Sequence, residues 1–184
     1  LEDGRNLDHL GIIMLKTGKN WKTAYCIHHN ANLQGGHNYA DVESYLTDTE
    51  KKELTGLALY NGFKFDGWTP DDDTVPDDAD KGKYTATQVM VWIIEKGWYT
   101  YDKNNCSFII QSKAVSVAKT ICAKSDQSPS GSSYSYFNQL YAAMQKHDQM
   151  PSFVNPDASK AQTKNMGYDF SKKQYRLVIT DENH

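Results

Sequence analysis

The chain has 184 residues, 39% of them hydrophobic and 23% charged, with a formal net charge of -3 at pH 7. That size suits one well-packed domain with room for two lobes. The charge balance lacks the basic bias of a nucleic-acid-binding protein, and no apolar run approaches membrane-spanning length, so no membrane insertion is expected.

In chain order, the opening segment LEDGRNLDHL lacks the basic flank and apolar core of a signal peptide. Two β-prone runs follow, GIIMLKT at 11–17 and WKTAYCIHH at 21–29, separated by GKN. They predict a hairpin. Alternation along the second run puts Cys26 and His28 on one face and Tyr25 and Ile27 on the other. The stretch ANLQGGHNYADVES has the Gly and Asn content of a loop.

TDTEKKELTGLALYNG starts with capping residues and acids and stops at Asn-Gly, which predicts a helix with an apolar stripe of Leu54, Leu57 and Ala58. DGWTPDDDTVPDDADKGK carries six Asp between Asp71 and Asp80. It lacks the acid and glycine spacing of an EF-hand and reads as a solvated acidic loop. TATQVMVWIIEKG predicts a helix over 85–97: Thr85 as N-cap, Gln88 completing a capping box, Gly97 as the stop. Its centre, VMVWII, is apolar all round, so the helix should be buried on most sides.

SFIIQSKAVSVAKTICAKS has Ile110, Ala114, Val117 and Ile121 at helical spacing. SYSYFNQLYAAMQKHDQM repeats the pattern with Phe137, Leu140, Tyr141 and Met144. Both read as amphipathic helices. The segment MPSFVNPDASKAQTKNMGYDF reads as mostly irregular, and the chain ends in a strand over 173–180. Strands at the ends and helices between predict an α+β fold, a β part packed on a helical part. A strand so near the C-terminus suggests that residues 1–184 are one domain excised from a longer chain.

Cys26 is the residue whose chemistry needs explaining. Cys26, His28, His29 and His37 cluster in sequence, but no second Cys-x-x-Cys or His-x-x-x-His completes a zinc site, so no metal and no cofactor is expected. A cysteine hydrolase needs a histidine that lowers the thiol pKa and a third group that orients it. His147 with Asp148, or His37 with Asn38, would supply the pair, but hydrolase cysteines usually sit at a helix N-terminus and Cys26 reads as a strand residue. A plain buried cysteine is the remaining alternative.

Tyr25-Cys26-Ile27 on a strand, followed by Thr87-Gln88-Val89-Met90-Val91-Trp92 opening a buried helix, resembles the thioester domains of Gram-positive surface adhesins. Met90 stands where that family most often has alanine. The resemblance implies a β-rich lobe joined to a helical lobe, with an internal Cys26–Gln88 thioester near their interface. It further implies a single-turnover covalent module, not an enzyme. A lysine amine on a host surface or matrix protein attacks the Gln88 carbonyl, Cys26 leaves as the thiol, and an amide links the two proteins. The setting it implies is extracellular, on a cell wall reached through regions outside this chain, with the domain a monomer.

The chemistry is coherent. An amide is a poor acyl donor, so the fold must hold thiol and carboxamide at attacking distance and stabilise the oxyanion. The first turn of a helix would offer Gln88 unpaired N–H groups, and Thr87 a hydroxyl. His28 would act as the base for the thiol or later for the incoming amine, or be simply a polar residue at a strand end, the reading favoured for it alone, and Trp92 would shield the bond or simply fill the core. A crosslink closing 62 residues would stabilise the fold by about 4 kcal/mol on the chain-entropy model. Cys106 and Cys122 are sixteen residues apart. A straight helix would separate them by about 24 Å, beyond disulfide reach, so both should be unpaired and buried. The twelve tyrosines suggest a contact surface.

Overall fold

In the computed structural model the described residues are 11–28, 46–64, 76–102, 107–126 and 132–146, together with short strands at 149–150, 162–163, 166–169 and 174–177. Strands β1 (Ile13–Thr17) and β2 (Asn20–Ala24) pair antiparallel, with Ile13 opposite Ala24 and Thr17 opposite Asn20. The two-residue connection begins at Gly18, whose φ of 63° is the conformation such a tight turn needs. The predicted hairpin therefore forms. Its second strand, however, ends at Ala24, two residues short of Cys26. Cys26 lies in the irregular exit from β2, not on the strand.

Helix α1 (Thr49–Asn61) is capped by Asp48, whose carboxylate accepts from the Glu50 and Lys51 amides. It buries Leu54, Thr55 and Ala58. It ends at Gly62, whose backbone is extended, not left-handed, and where a side chain would be crowded. A Cβ there would lie 2.4 Å from Thr87 Cγ2 and 2.6 Å from the Ala58 carbonyl oxygen. The missing side chain lets the end of α1 press against the next helix beside Gln88.

That helix, α2 (Asp78–Glu95), begins two turns earlier than the predicted Thr85. The true N-cap is Asp77, which accepts from the Asp80 amide at 2.7 Å. Asp78 and Asp80 lie in the first turn, where carboxylates favour the positive end of the helix. The last three acids of the supposed loop are thus a helix start. Thr85 is interior and hydrogen-bonds Ser125, so the predicted capping box does not exist. The predicted stop holds. The Gly97 amide donates to the Ile94 carbonyl and the Trp98 amide to the Ile93 carbonyl, with Gly97 at φ 65°, a Schellman motif.

Every residue of α2 from Tyr84 to Ile94 is buried, as its all-round apolarity predicts. It packs against α1, α3 (Ser112–Ser125) and α4 (Ser132–Lys146). Gly82 permits the approach of α4, since a Cβ there would be 3.2 Å from the Ser133 hydroxyl. Phe137, Leu140 and Met144 of α4, and Ala114, Ala118, Ile121 and Cys122 of α3, complete the core around Val89, Met90, Trp92 and Ile93.

The middle of the chain is not purely helical. Strands β3 (Tyr99–Asp102) and β4 (Ser107–Ile110) form a hairpin between α2 and α3. Ile110, predicted to start a helix, ends β4. Phe108 and Ile110 point inward while Ile109 is exposed, a period of two, and Gln111 is extended before α3 begins. The predicted irregular stretch also contains strands. β5 (Gln149–Met150) pairs with β6 (Gln162–Thr163), and β7 (Met166–Asp169) pairs with β8 (Gln174–Leu177), the latter within the predicted C-terminal strand. Helices and four two-stranded antiparallel sheets among the described residues make the chain α+β. No described helix is long and apolar enough to cross a membrane.

The Gly62–Thr87 contact sets a clear expectation. Gly62→Ala should destabilise the fold by about 1–3 kcal/mol through overpacking. Gly56→Ala, in the same helix with open space at its Cβ, should stabilise it by about 0.5–1 kcal/mol. Urea unfolding of the two variants measures both.

Candidate functional site

Gln88 sits mid-way along α2 with none of its surface exposed. Its carboxamide reaches across to the segment leaving β2 and, among the described residues, pairs with Cys26. The Cys26 amide donates to Gln88 Oε1 at 2.9 Å, and Gln88 Nε2 donates to the Cys26 carbonyl at 2.7 Å. One partner can only donate and the other only accept, so the carboxamide orientation is fixed. The two residues that the sequence singled out, 62 positions apart, are in direct contact.

The location of Gln88 corrects one expectation. It is not in the first turn of α2, so the unpaired N–H groups of the helix start are remote from it. The donor at its carbonyl oxygen is the Cys26 backbone amide instead. Thr87 is also committed elsewhere. Its hydroxyl donates to the Lys83 carbonyl at 2.9 Å and accepts from the Phe63 amide at 3.0 Å.

The Cys26 thiol donates to the His28 carbonyl at 2.9 Å across a tight turn. His28 is exposed, and its backbone supplies that contact. Cys26 is half-buried, and burial pushes its thiol above the usual cysteine range.

Two tyrosines frame the cysteine. Tyr84, one turn before Gln88 on α2, donates to the Ala24 carbonyl at 2.9 Å. Tyr25 stacks on Tyr84 at 4.8 Å between ring centroids and donates to the Phe63 carbonyl. The Phe63 ring meets Tyr84 edge-on. Burial pushes both tyrosine hydroxyls well above their ordinary range, so both act as neutral donors. The peptide of Phe63 therefore joins Tyr25 to Thr87, and the backbone of 24–26 is fixed on both sides of the helix face that carries Gln88.

Trp92, one turn beyond Gln88, is fully buried in the main core, and its indole N–H meets no acceptor among the described residues. Cys122 is buried and free, its thiol pushed up to about 12 by burial. Cys106, His29, His37, Asn38, His147 and Asp148 lie outside the described residues. So do the groups a hydrolase dyad would use. Among the described residues no cluster of three or more His, Cys, Asp or Glu is arranged to hold a metal.

Sequence reasoning missed Tyr84 and Phe63, and saw in Gly62 only a helix stop, not its contact with Thr87. The signal for Tyr84 was its position four residues before Gln88, but a helix begun at Thr85 leaves Tyr84 outside it. Phe63 and Gly62 act through backbone atoms or through an absent side chain, for which no motif exists.

The backbone of Cys26 thus pairs with a buried side-chain carboxamide on α2, which sets a thiol-bearing residue against an amide. The chain belongs to the thioester domain family, whose model matches residues 23–149 and so includes both Cys26 and Gln88. No curated protein and no solved structure shows significant similarity. Thioester domains are covalent binding modules of surface adhesins.

Because desolvation raises the Cys26 pKa, its reaction with iodoacetamide in a Gln88→Ala chain should rise with pH to a midpoint above that of an exposed cysteine, as read by peptide mapping. A midpoint at or below the exposed value would contradict the burial of this thiol. The raised pKa values of Tyr25, Tyr84 and Cys122 have a matching consequence. Their contribution to stability is complete below the unfolded-state values, about 8.5 for cysteine and 10 for tyrosine. It is lost as pH climbs past them. Unfolding midpoints measured between pH 7 and 11 should fall.

Proposed function

We propose that Cys26 and Gln88 form an internal thioester, which a lysine amine of a partner protein opens to give a covalent amide. The two-point pairing of the Gln88 carboxamide with the Cys26 backbone carries this reading. It turns the carboxamide carbon toward the residue that bears the nucleophile, so a rare encounter becomes an intramolecular step. The Cys26 Sγ bonds to Gln88 Cδ, the Cδ–Nε2 bond breaks, the thiol proton passes to nitrogen, and ammonia leaves. The Cys26 N–H is already aimed at the oxygen on which negative charge develops.

In the second step the amine nitrogen of a lysine bonds to Cδ, Sγ leaves, and a proton passes from nitrogen to sulfur. The burial that raises the thiol pKa helps here too. A thiol of higher pKa is a poorer leaving group, and a fully buried Gln88 is sheltered from water. Both favour a thioester that waits for its amine. In this reading His28, two residues from Cys26, is the side chain that would relay that proton.

Membership in an adhesin family supports a bacterial surface setting and a partner among host surface or matrix proteins. Under this reading the domain acts once, as a monomer held at a Gram-positive cell wall through other regions of the protein. The amide product is effectively irreversible, which suits attachment under flow.

Intact-mass spectrometry tests the reading. The native chain should be lighter than its sequence by one ammonia, and Cys26→Ala and Gln88→Ala chains should show full mass. Methylamine should add to the native chain at Gln88 and free one alkylatable thiol at Cys26. A full-mass native chain that ignores methylamine would overturn the reading.

A further inference from the structure

Thioester formation removes part of the contact that brings the two residues together. When ammonia leaves, Nε2 leaves with it, and the Cys26 carbonyl loses the partner it has at 2.7 Å. Two contacts between α2 and this segment among the described residues contain no reacting atom: the Tyr25–Tyr84 stack and the hydrogen bond from the Tyr84 hydroxyl to the Ala24 carbonyl at 2.9 Å, and of these the hydrogen bond holds the backbone directly.

Tyr84 and Gln88 are four residues apart on α2, so they lie one above the other on the same face. They grip the chain at two points separated by two residues, Ala24 and Cys26. Tyr84 has no exposed surface, and its ring is held between Tyr25, stacked at 4.8 Å, and the edge-on Phe63. The direction of its hydroxyl is therefore set by packing before any chemistry occurs. The bond contains no atom that changes when Gln88 passes from carboxamide to thioester to linked amide.

We propose that Tyr84 is a positioning residue for the thioester: through the Ala24 carbonyl it holds Cys26 in register with Gln88 while the carboxamide nitrogen departs and when it is absent. The proposal rests on the Cys26–Gln88 thioester reading and adds a residue outside the Cys and Gln motifs. It makes closing of the thioester, more than folding, the property that depends on the Tyr84 hydroxyl.

The experiment opens the thioester with ammonia, which restores the Gln88 carboxamide and the Cys26 thiol. Ammonium is then removed by desalting, and re-closure is followed as the return of the one-ammonia mass deficit. Tyr84→Phe keeps the stacked ring and removes only the hydroxyl. It should re-close roughly five- to tenfold more slowly, the effect of losing one aligned hydrogen bond. The pH profile of the rate, set by the Cys26 thiol, should keep its midpoint.

Thr85→Val is the comparison. It deletes the neighbouring buried hydroxyl, which bonds Ser125 at 3.0 Å and does not touch 24–26. It should lower the unfolding midpoint comparably and leave re-closure at the native rate. Native-rate closure in Tyr84→Phe, or equal slowing in Thr85→Val, would overturn the positioning role while leaving the thioester intact. A native chain that never shows the deficit would overturn the thioester reading and this proposal with it.

Discussion

The pairing of the Gln88 carboxamide with both backbone groups of Cys26 is the interaction around which the site is arranged. It is wholly internal, because Gln88 has no exposed surface. In that setting each hydrogen bond contributes modestly, about 1 kcal/mol net, but leaving either partner unsatisfied costs about 1–3 kcal/mol. The fold thus keeps the two residues in contact for a reason independent of reaction. The same geometry that satisfies a buried amide also aims an N–H at its oxygen and presents its carbon to the cysteine. Structural satisfaction and chemical preorganisation coincide in one contact.

Such a contact requires a helix that does not move, and α2 is built for that. It is packed against α1, α3 and α4, and every residue from Tyr84 to Ile94 is buried. Its ends are fixed by Asp77 and by the Gly97 turn. Two glycines admit its neighbours: Gly82 lets α4 approach, and Gly62 lets α1 close on Thr87. Gln88 is adjacent to Thr87, so the α1 contact and the carboxamide are mechanically one unit. On the other side, the cysteine segment has little regular structure of its own. Tyr25, Tyr84 and Phe63 supply through side chains what the strand no longer supplies through its ladder.

The helices were legible where local chemistry decides them. Asp48 and Asn61–Gly62 mark α1, and the Schellman glycine at Gly97 marks the end of α2. The apolar spacing of Phe137, Leu140 and Met144 marks α4. The start of α2 was not, because Thr85-x-x-Gln88 is a valid capping box in isolation and an Asp-rich run resembles a solvated loop. Tertiary packing selected the earlier cap. Ile110 misled for a related reason: it stands four residues before Ala114, and only Gln111, extended in the fold, separates strand from helix. Cys26 and Gln88 were found as short motifs, but the motifs do not say which backbone groups meet the carboxamide. That depends on where β2 ends, one of the least local features of the chain.

The central claim is that Cys26 and Gln88 share a covalent bond. The most direct measurement is proteolysis of the native chain at acidic pH, where thioesters resist hydrolysis and exchange, followed by tandem mass spectrometry of the peptides. The account predicts one branched species joining the Cys26 peptide to the Gln88 peptide, fragmenting at the sulfur–acyl bond. Two separate peptides, with a free Cys26 thiol and an intact Gln88 carboxamide, would contradict it.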